Sequence, residues 1–281
     1  MSITWLEAYR QAIKDLTDLG VAEAELDSWY LLEAVTGMSR TDFLMRRGDI
    51  LKEEQLPQLA RFQELVARRG QRIPLSYLTG WRNFCGLEFA VNEAVLIPRQ
   101  DTECLVEALL PKAKDAEILD MCTGSGCIAI SLAVLGKAAA VTGVDISEAA
   151  LAVAKSNGER LAPNVRFLQS DLFEQVEGRY DIIVSNPPYI QSEVIETLEP
   201  EVKDHEPRLA LDGTADGLYF YRRIVELAPQ YLREGGTLAF EIGYDQGLDV
   251  SELMRNQGFV DVIVKPDLTG LDRVVLGRWA G

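Results

Sequence analysis

Histidine is almost missing from this 281-residue chain, which has only His205. Its four cysteines, Cys85, Cys104, Cys122 and Cys127, form no C-x-x-C pair. Together these shortages argue against a zinc site and against a disulfide framework, so reduced thiols and no metal are expected. No apolar run approaches the roughly 20 residues of a membrane helix. The best stretch, Cys127–Leu135, is interrupted by Ser131. The opening MSITWLEAYRQAIKD is charged and helical in period, unlike a secretory leader. A cytoplasmic protein with no membrane contact is expected. Basic charge is also short, with 28 Lys+Arg against 44 Asp+Glu, a net charge of −16. That disfavours gripping a nucleic-acid backbone by bulk electrostatics. With 47% hydrophobic and 26% charged residues, global disorder is excluded.

The length suggests about two domains, and the charge is unevenly divided, with net −2 over residues 1–80 and −14 over the rest. The first part reads as a small bundle of about four or five helices. Trp5, Tyr9, Ile13, Leu16 and Leu19 recur at helical spacing between a capping Thr4 and Gly20. Leu26, Trp29, Leu32 and Val35 form a second stripe, and Leu56, Leu59, Phe62 and Val66 another. Aromatic and β-prone residues around Gly86 in Trp81–Val91 predict a hairpin. From 117 onward strands and helices alternate, which predicts an α/β fold with a mostly parallel sheet. Strands are expected at Glu117–Met121, Ala139–Asp145, Val165–Asp171, Asp181–Asn186, Gly236–Gly243, Val260–Lys265 and Arg273–Arg278. The loop before the last strand is too short for a parallel crossover, so that strand should be antiparallel. The expected domains are 1–75, helical; 76–98, a linker with the hairpin; and 99–281, the α/β domain.

Ligands of open α/β sheets bind at the carboxyl ends of strands, and polar residues gather there. Asp120 ends the first strand and leads into Met121-Cys122-Thr123-Gly124-Ser125-Gly126. This glycine-bearing turn is either a close backbone approach to a ligand or simply a tight turn. Asp145 ends the second strand, suited to ribose hydroxyls or to capping the next helix. Asp171 ends the third, suited to an adenine amino group or to a turn. Asn186-Pro187-Pro188-Tyr189 ends the fourth and is the sharpest feature. Two prolines remove N–H donors and leave carbonyl acceptors beside an amide and an aromatic ring. Such a set suits a flat NH₂ group conjugated to a carbonyl or ring.

These residues resemble S-adenosylmethionine-dependent methyltransferases of the seven-stranded Rossmann-like type, in the N-P-P-Y branch that methylates planar amino or amide nitrogens. The segment 74–103, PLSYLTGWRNFCGLEFAVNEAVLIPRQDTE, together with the helical first domain, is similar to the HemK/PrmC family of release-factor glutamine N5-methyltransferases. The resemblance spans nearly the whole chain. It implies transfer of methyl from S-adenosylmethionine, giving S-adenosylhomocysteine, to the glutamine of the Gly-Gly-Gln motif of class 1 release factors. It implies a cofactor site from Asp120, Cys122, Thr123, Gly124, Ser125, Gly126, Asp145, Asp171, Leu172 and Asn186. It also implies a catalytic glutamine slot from Asn186, Pro187, Pro188 and Tyr189. Arg99 either positions the substrate loop or pairs with Glu103 at i,i+4. The first domain, with Arg46, Arg47, Arg68, Arg69 and Arg72, would recognise the release factor, although charge runs are usually solvated faces. His205 reads as part of a solvated acidic loop.

Two positions depart from the family. Cys122 stands where glycine is common, and the segment 171–173 is Asp-Leu-Phe where some members have a tryptophan, so that Leu172 would make the contact near adenine. A monomer is expected. Competing readings are a nucleic-acid amino-methyltransferase, which the charge disfavours; a binding module, which would have no need of a nucleophile slot; and an NAD-dependent oxidoreductase, for which no hydride-transfer acid stands out.

Overall fold

Thr4 starts the first helix by a reciprocal cap. Its hydroxyl accepts the Glu7 N–H at 3.2 Å, and the Glu7 carboxylate accepts the Thr4 N–H at 2.9 Å. The computed structural model describes residues 3–281. In chain order it contains α1 (Trp5–Asp18), α2 (Ala24–Thr36), α3 (Arg40–Arg46), α4 (Leu56–Gly70), α5 (Leu75–Thr79), β1 (Trp81–Phe84), β2 (Leu87–Ala90), α6 (Gln100–Ala113), β3 (Glu117–Met121), α7 (Cys127–Val134), β4 (Ala140–Asp145), α8 (Glu148–Leu161), β5 (Arg166–Gln169), β6 (Tyr180–Ser185), α9 (Ser192–Ile195), α10 (Pro200–Lys203), α11 (Tyr219–Tyr231), β7 (Leu232–Glu241), α12 (Gly247–Gln257), β8 (Phe259–Pro266) and β9 (Asp272–Trp279). None of the described helices is long and apolar enough to cross a membrane.

The chain divides into two interleaved compact units. One runs to Gly80 and takes in Pro200–His205; the other is Trp81–Glu199 with Glu206–Gly281. The helical unit buries Trp5, Leu16, Trp29, Leu31, Leu32 and Phe62, which are the apolar stripes of α1, α2 and α4. Its second source of order is ionic. Arg69, only 7% exposed, donates from Nε to Asp27 Oδ2 at 2.7 Å and from Nη2 to Glu201 Oε1 at 2.9 Å. Arg72 donates from Nε and Nη2 to the two oxygens of Glu201, both at 2.6 Å. The solvated-face reading therefore does not hold for Arg69 or Arg72. Their partners lie 42 and more than 100 residues away, and a helical charge pattern cannot reveal them.

The other unit holds the antiparallel hairpin β1–β2, with Trp81 opposite Ala90, and a seven-stranded sheet in the order β5-β4-β3-β6-β7-β9-β8. β3 to β7 are parallel, and β9 is antiparallel to both its neighbours. The strand period of two sorts the core into two layers. Ile118, Ile182 and Val184 point towards the side covered by α6 and α7. Leu119, Met121 and Ile183 point to the side covered by α11 and α12. After β3 the chain adds β4 and β5 on one side, then returns to place β6 on the other. The crevice at this reversal, beyond the carboxyl ends of β3 and β6, is where an open α/β sheet receives its ligand. Two expectations change in detail. β5 is shorter than 165–171, because the chain turns at Ser170 into the loop that carries Asp171. α6 has no counterpart among the helices read from sequence, although its buried Thr102, Leu105, Val106 and Leu109 recur at helical spacing.

The ionic cluster gives a stability prediction. Burial raises the Glu201 pKa, but hydrogen bonds from Arg72 and Arg69 outweigh it and bring it down to about 2, from an ordinary 4.5. Its contribution is thus complete above pH 4.5 and is lost as pH falls towards 2. Glu201→Gln should cost about 2 kcal/mol at neutral pH, less than a fully buried pair because Arg72 is partly exposed. Urea unfolding of the two proteins at neutral and acid pH checks this; the difference should shrink on acidification.

Candidate active site

A cavity of about 280 Å³ opens at the carboxyl edge of the sheet. Cys122, Thr123, Gly124, Ser125, Asp145, Asp171, Leu172, Asn186, Pro188 and Arg99 all line it. Asp120, Gly126, Pro187 and Tyr189 are not among the lining residues, and Pro187 stands in the chain between Asn186 and Pro188, which are.

Asp120 lies beneath the turn. α7 follows directly on Gly126, which offers no capping side chain. The N-terminal N–H groups of that helix need acceptors, and Asp120 supplies one from the strand. Its Oδ2 accepts from Ala129 N at 3.1 Å and from the Thr123 hydroxyl at 2.6 Å. Complete burial pushes its pKa up to about 7 against the help of these two donors, with the Asp145 charge adding to the rise.

Asp145 ties the β3 turn to the β4 turn. Oδ2 accepts from Gly124 N and Oδ1 from Ser147 N, both at 2.9 Å. Ser147 in turn caps α8 through Ala150 N. Burial raises the Asp145 pKa, and the surrounding N–H donors oppose it. A carboxylate oxygen has more than one lone pair, so both remain able to accept from a ligand hydroxyl. Asp171 meets Arg223 of α11, Nη1 to Oδ1 at 3.0 Å, and that guanidinium sits 5.7 Å from the centre of the Tyr219 ring. Cys122 and Leu172, the two departures noted above, are both in the left-handed region, at φ 60° and 48°. A glycine is the natural occupant of such a position.

The Asn186-Pro187-Pro188-Tyr189 turn is clamped from behind. Ile190 N donates to Leu211 O, and Gly213 N to Ile190 O. Gln246 Nε2 donates to Tyr189 O at 3.1 Å. A Cβ on Gly213 would fall 2.7 Å from the Tyr189 main chain, and one on Gly217 closer still, so the two glycines allow this approach. The Tyr189 hydroxyl donates to Glu241 Oε1 at 3.3 Å, away from the cavity. Asn186 Nδ2 donates to the Thr102 hydroxyl at 3.3 Å. Arg99 pairs with the buried carboxylate of Glu206 rather than with Glu103, which instead accepts from Cys85 N. His205 lies in the helical unit, its Nε2 3.2 Å from Gln71 O.

Sequence reading missed one wall of the cavity. Thr102, Tyr219, Phe220 and Arg223 all line it, and all come from segments whose local pattern looks structural.

Residues 99–205 match the model of the methyltransferase small domain family, and residues 7–80 that of the PrmC N-terminal domain family. A release factor glutamine methyltransferase of Geobacter sulfurreducens is 44% identical over 98% of this chain and 95% of its own length. One from Agrobacterium fabrum is 42% identical over 95% and 94%. The chain belongs to the release factor glutamine methyltransferase family. A methyltransferase from Pyrococcus furiosus, 19% identical, shares the fold with a TM-score of 0.55, over 81% of this chain and all of that one. The N-terminal unit, matched separately, belongs to the same family pattern and is not an unrelated fusion.

Asp120→Ala leaves the N–H of Ala129 and the hydroxyl of Thr123 without an acceptor inside the protein. We expect about 2–3 kcal/mol of destabilisation, read as a lowered urea midpoint. We also expect weaker ligand binding, because the β3 turn loses its support.

Proposed function

We propose that the protein transfers a methyl group from S-adenosylmethionine to the side-chain amide nitrogen of the glutamine in the Gly-Gly-Gln motif of class 1 release factors. The observation that carries this is the orientation of Asn186 on the cavity wall, with its nitrogen engaged by Thr102 and its oxygen left for a ligand. Identity to the named relatives over almost the full chain supports the substrate.

The cavity fits the cofactor. A ribose needs a carboxylate acceptor, and Asp145 stands at a strand end for it. A flat base needs apolar faces and a polar edge, which Ile146, Leu172 and Asp171 provide. An amino-acid tail needs room beside main chain, and Gly124 faces open space there, since an added Cβ would meet nothing within 4 Å. When bound, S-adenosylmethionine supplies an electrophilic methyl group on a sulfonium and leaves as S-adenosylhomocysteine.

The protein's own task is positioning, the main requirement of an in-line displacement. An amide nitrogen is a weak nucleophile because its lone pair is shared with the carbonyl. Asn186 Oδ1 and the Pro187 carbonyl would accept its two hydrogens, orient it, and favour the electron-rich state that develops on attack. The Pro turn is clamped from behind by hydrogen bonds at Tyr189 and Ile190, which limits its movement. The cavity's carboxylates, Asp145 and Asp171, are already engaged by donors, and no histidine lines it. We therefore assign the proton to solvent after attack. The helical unit is proposed to recognise the release factor beyond its glutamine, using remote contacts to position a small reacting group. Since Pro200–His205 belongs to that unit, surface substitutions test this better than deletion of residues 1–75, which would strip Glu201 of its partners. We read the protein as a cytoplasmic monomer that does not bind nucleic acid directly.

Two measurements check the reading. With labelled S-adenosylmethionine, a release factor with its Gly-Gly-Gln intact should take up label on the glutamine amide, and the same factor with that Gln changed to Ala should not. Label on RNA or DNA instead would replace the proposed substrate. Asn186→Ala should lower kcat about 10²–10³-fold, a larger effect than its loss of cofactor affinity by calorimetry. Asp145→Ala should do the reverse, weakening cofactor binding about 10–100-fold.

A further inference from the structure

The amino-acid tail of S-adenosylmethionine ends in an ammonium and a carboxylate. The carboxylate needs donors of its own in a part of the chain as acidic as residues 81–281, net −14. The β3 turn offers few. The N–H of Thr123 goes to Val144 O, that of Gly126 to Thr123 O and that of Gly124 to Asp145. Among the described residues, the cationic side chains that line the cavity are Arg99 and Arg223.

The sheet order separates these two cations. Along β5-β4-β3-β6 the strand ends carry, in turn, Asp171, Asp145, the 122–126 turn and Asn186. A ligand with its base at Asp171 and its ribose at Asp145 therefore has its tail at the β3 and β6 end. Arg223 stands at the base end, where Nη1 meets Asp171 Oδ1 at 3.0 Å. Arg99 stands at the other end. It directly precedes α6, and its main-chain oxygen accepts from Thr102 N at 3.2 Å. The Thr102 hydroxyl in turn accepts from Asn186 Nδ2 at 3.3 Å.

The Arg99 guanidinium is held from behind. Nη2 donates to Glu206 Oε1, its one hydrogen bond among the described residues. The Glu206 side chain is 1% exposed and its Oε2 has no hydrogen-bond partner, so this buried carboxylate depends on the cation beside it. The Arg99 side chain itself is 39% exposed, and Nε and Nη1 keep their hydrogens for a ligand. A guanidinium presents a planar fork of donors that matches a carboxylate. We propose that Arg99 binds the carboxylate at the end of the cofactor's amino-acid tail. The inference rests on the cofactor placement proposed above, and it adds the residue that takes the anionic end of the tail. It departs from the sequence reading, in which Arg99 positions the substrate loop.

The test compares two ligands by calorimetry, S-adenosylhomocysteine and its decarboxylated analogue, which keeps the amine. A change in the ratio of their affinities reports on the carboxylate alone. In Arg99→Met the ratio should shift about 10–100-fold towards the decarboxylated compound. The affinity for that compound should stay within about three-fold of the parent's. Arg99→Lys keeps a cation beside Glu206 but loses the fork, and should shift the ratio about 3–10-fold; it decides the matter if Arg99→Met does not fold. Equal loss for both ligands would make Arg99 a structural residue and overturn the inference. So would an unchanged ratio, and an unchanged ratio with a raised KM for the release factor would assign Arg99 to the protein substrate instead. A parent protein that binds neither ligand would defeat the cofactor placement and the inference with it. An unchanged ratio in variants of a parent that binds S-adenosylhomocysteine defeats the inference alone.

Discussion

The site depends on one constraint, that the start of α7 has no capping side chain of its own. Gly126 bends the chain tightly into the helix but offers nothing to the exposed N–H groups. Asp120 fills that role from inside the sheet and binds Thr123 at the same time. The turn between them is thereby held over the carboxyl edge of β3, with the main chain of residues 122–125 facing the cavity. The cost is a carboxylate buried completely, with one oxygen lacking a partner. That cost is the reason for its raised pKa. Asp145 repeats the device one strand away, accepting from Gly124 and Ser147 and so fastening two turns to each other. Preorganised cavity walls follow from these two carboxylates more than from any apolar contact.

Much of this was legible because parallel α/β architecture writes its function at strand ends. Asp120, Asp145, Asp171 and Asn186 each follow an apolar β-prone run, and the switch from period two to period 3.6 marks where each turn lies. Helix caps such as Thr4 and Ser147 were legible for the same reason, since a cap acts within three residues. The apolar face of α6 was legible in principle: Thr102, Leu105, Val106 and Leu109 carry the period, but the PR dipeptide before them draws attention to a loop.

What stayed hidden were roles defined by distant partners. Thr102 looks like an ordinary first-turn threonine. Its hydroxyl matters only because Asn186 arrives from 84 residues away. Tyr189 reads as a wall of the site in the sequence, yet its hydroxyl points back to Glu241. Arg69 reads as surface charge and is interior. Arg223 and Tyr219 sit in an amphipathic helix whose pattern explains them fully as structure. In each case local spacing is consistent with the bland role, and only the pairing across the fold separates the two.

The same contrast bears on how buried charge is used in the two units. Around Arg69, burial raises the Asp27 pKa despite the guanidinium beside it, whereas Glu201, held by two arginines, is lowered. One cation shared between a buried and a half-buried acid cannot satisfy both, and Arg72 relieves the competition by taking Glu201 in a two-point grip. In the sheet unit Arg273 has a comparable position, divided between Asp267 and the neighbourhood of Glu241. Asp267 is held low by the Thr269 hydroxyl and by N–H donors in its own turn, so it keeps a firm hold on the guanidinium. Glu241 is left with partial neutralisation and a pKa near neutrality. A fully paired Glu241 would hold its charge over a wider pH range, and a buried one with no cation near it would be protonated at neutral pH.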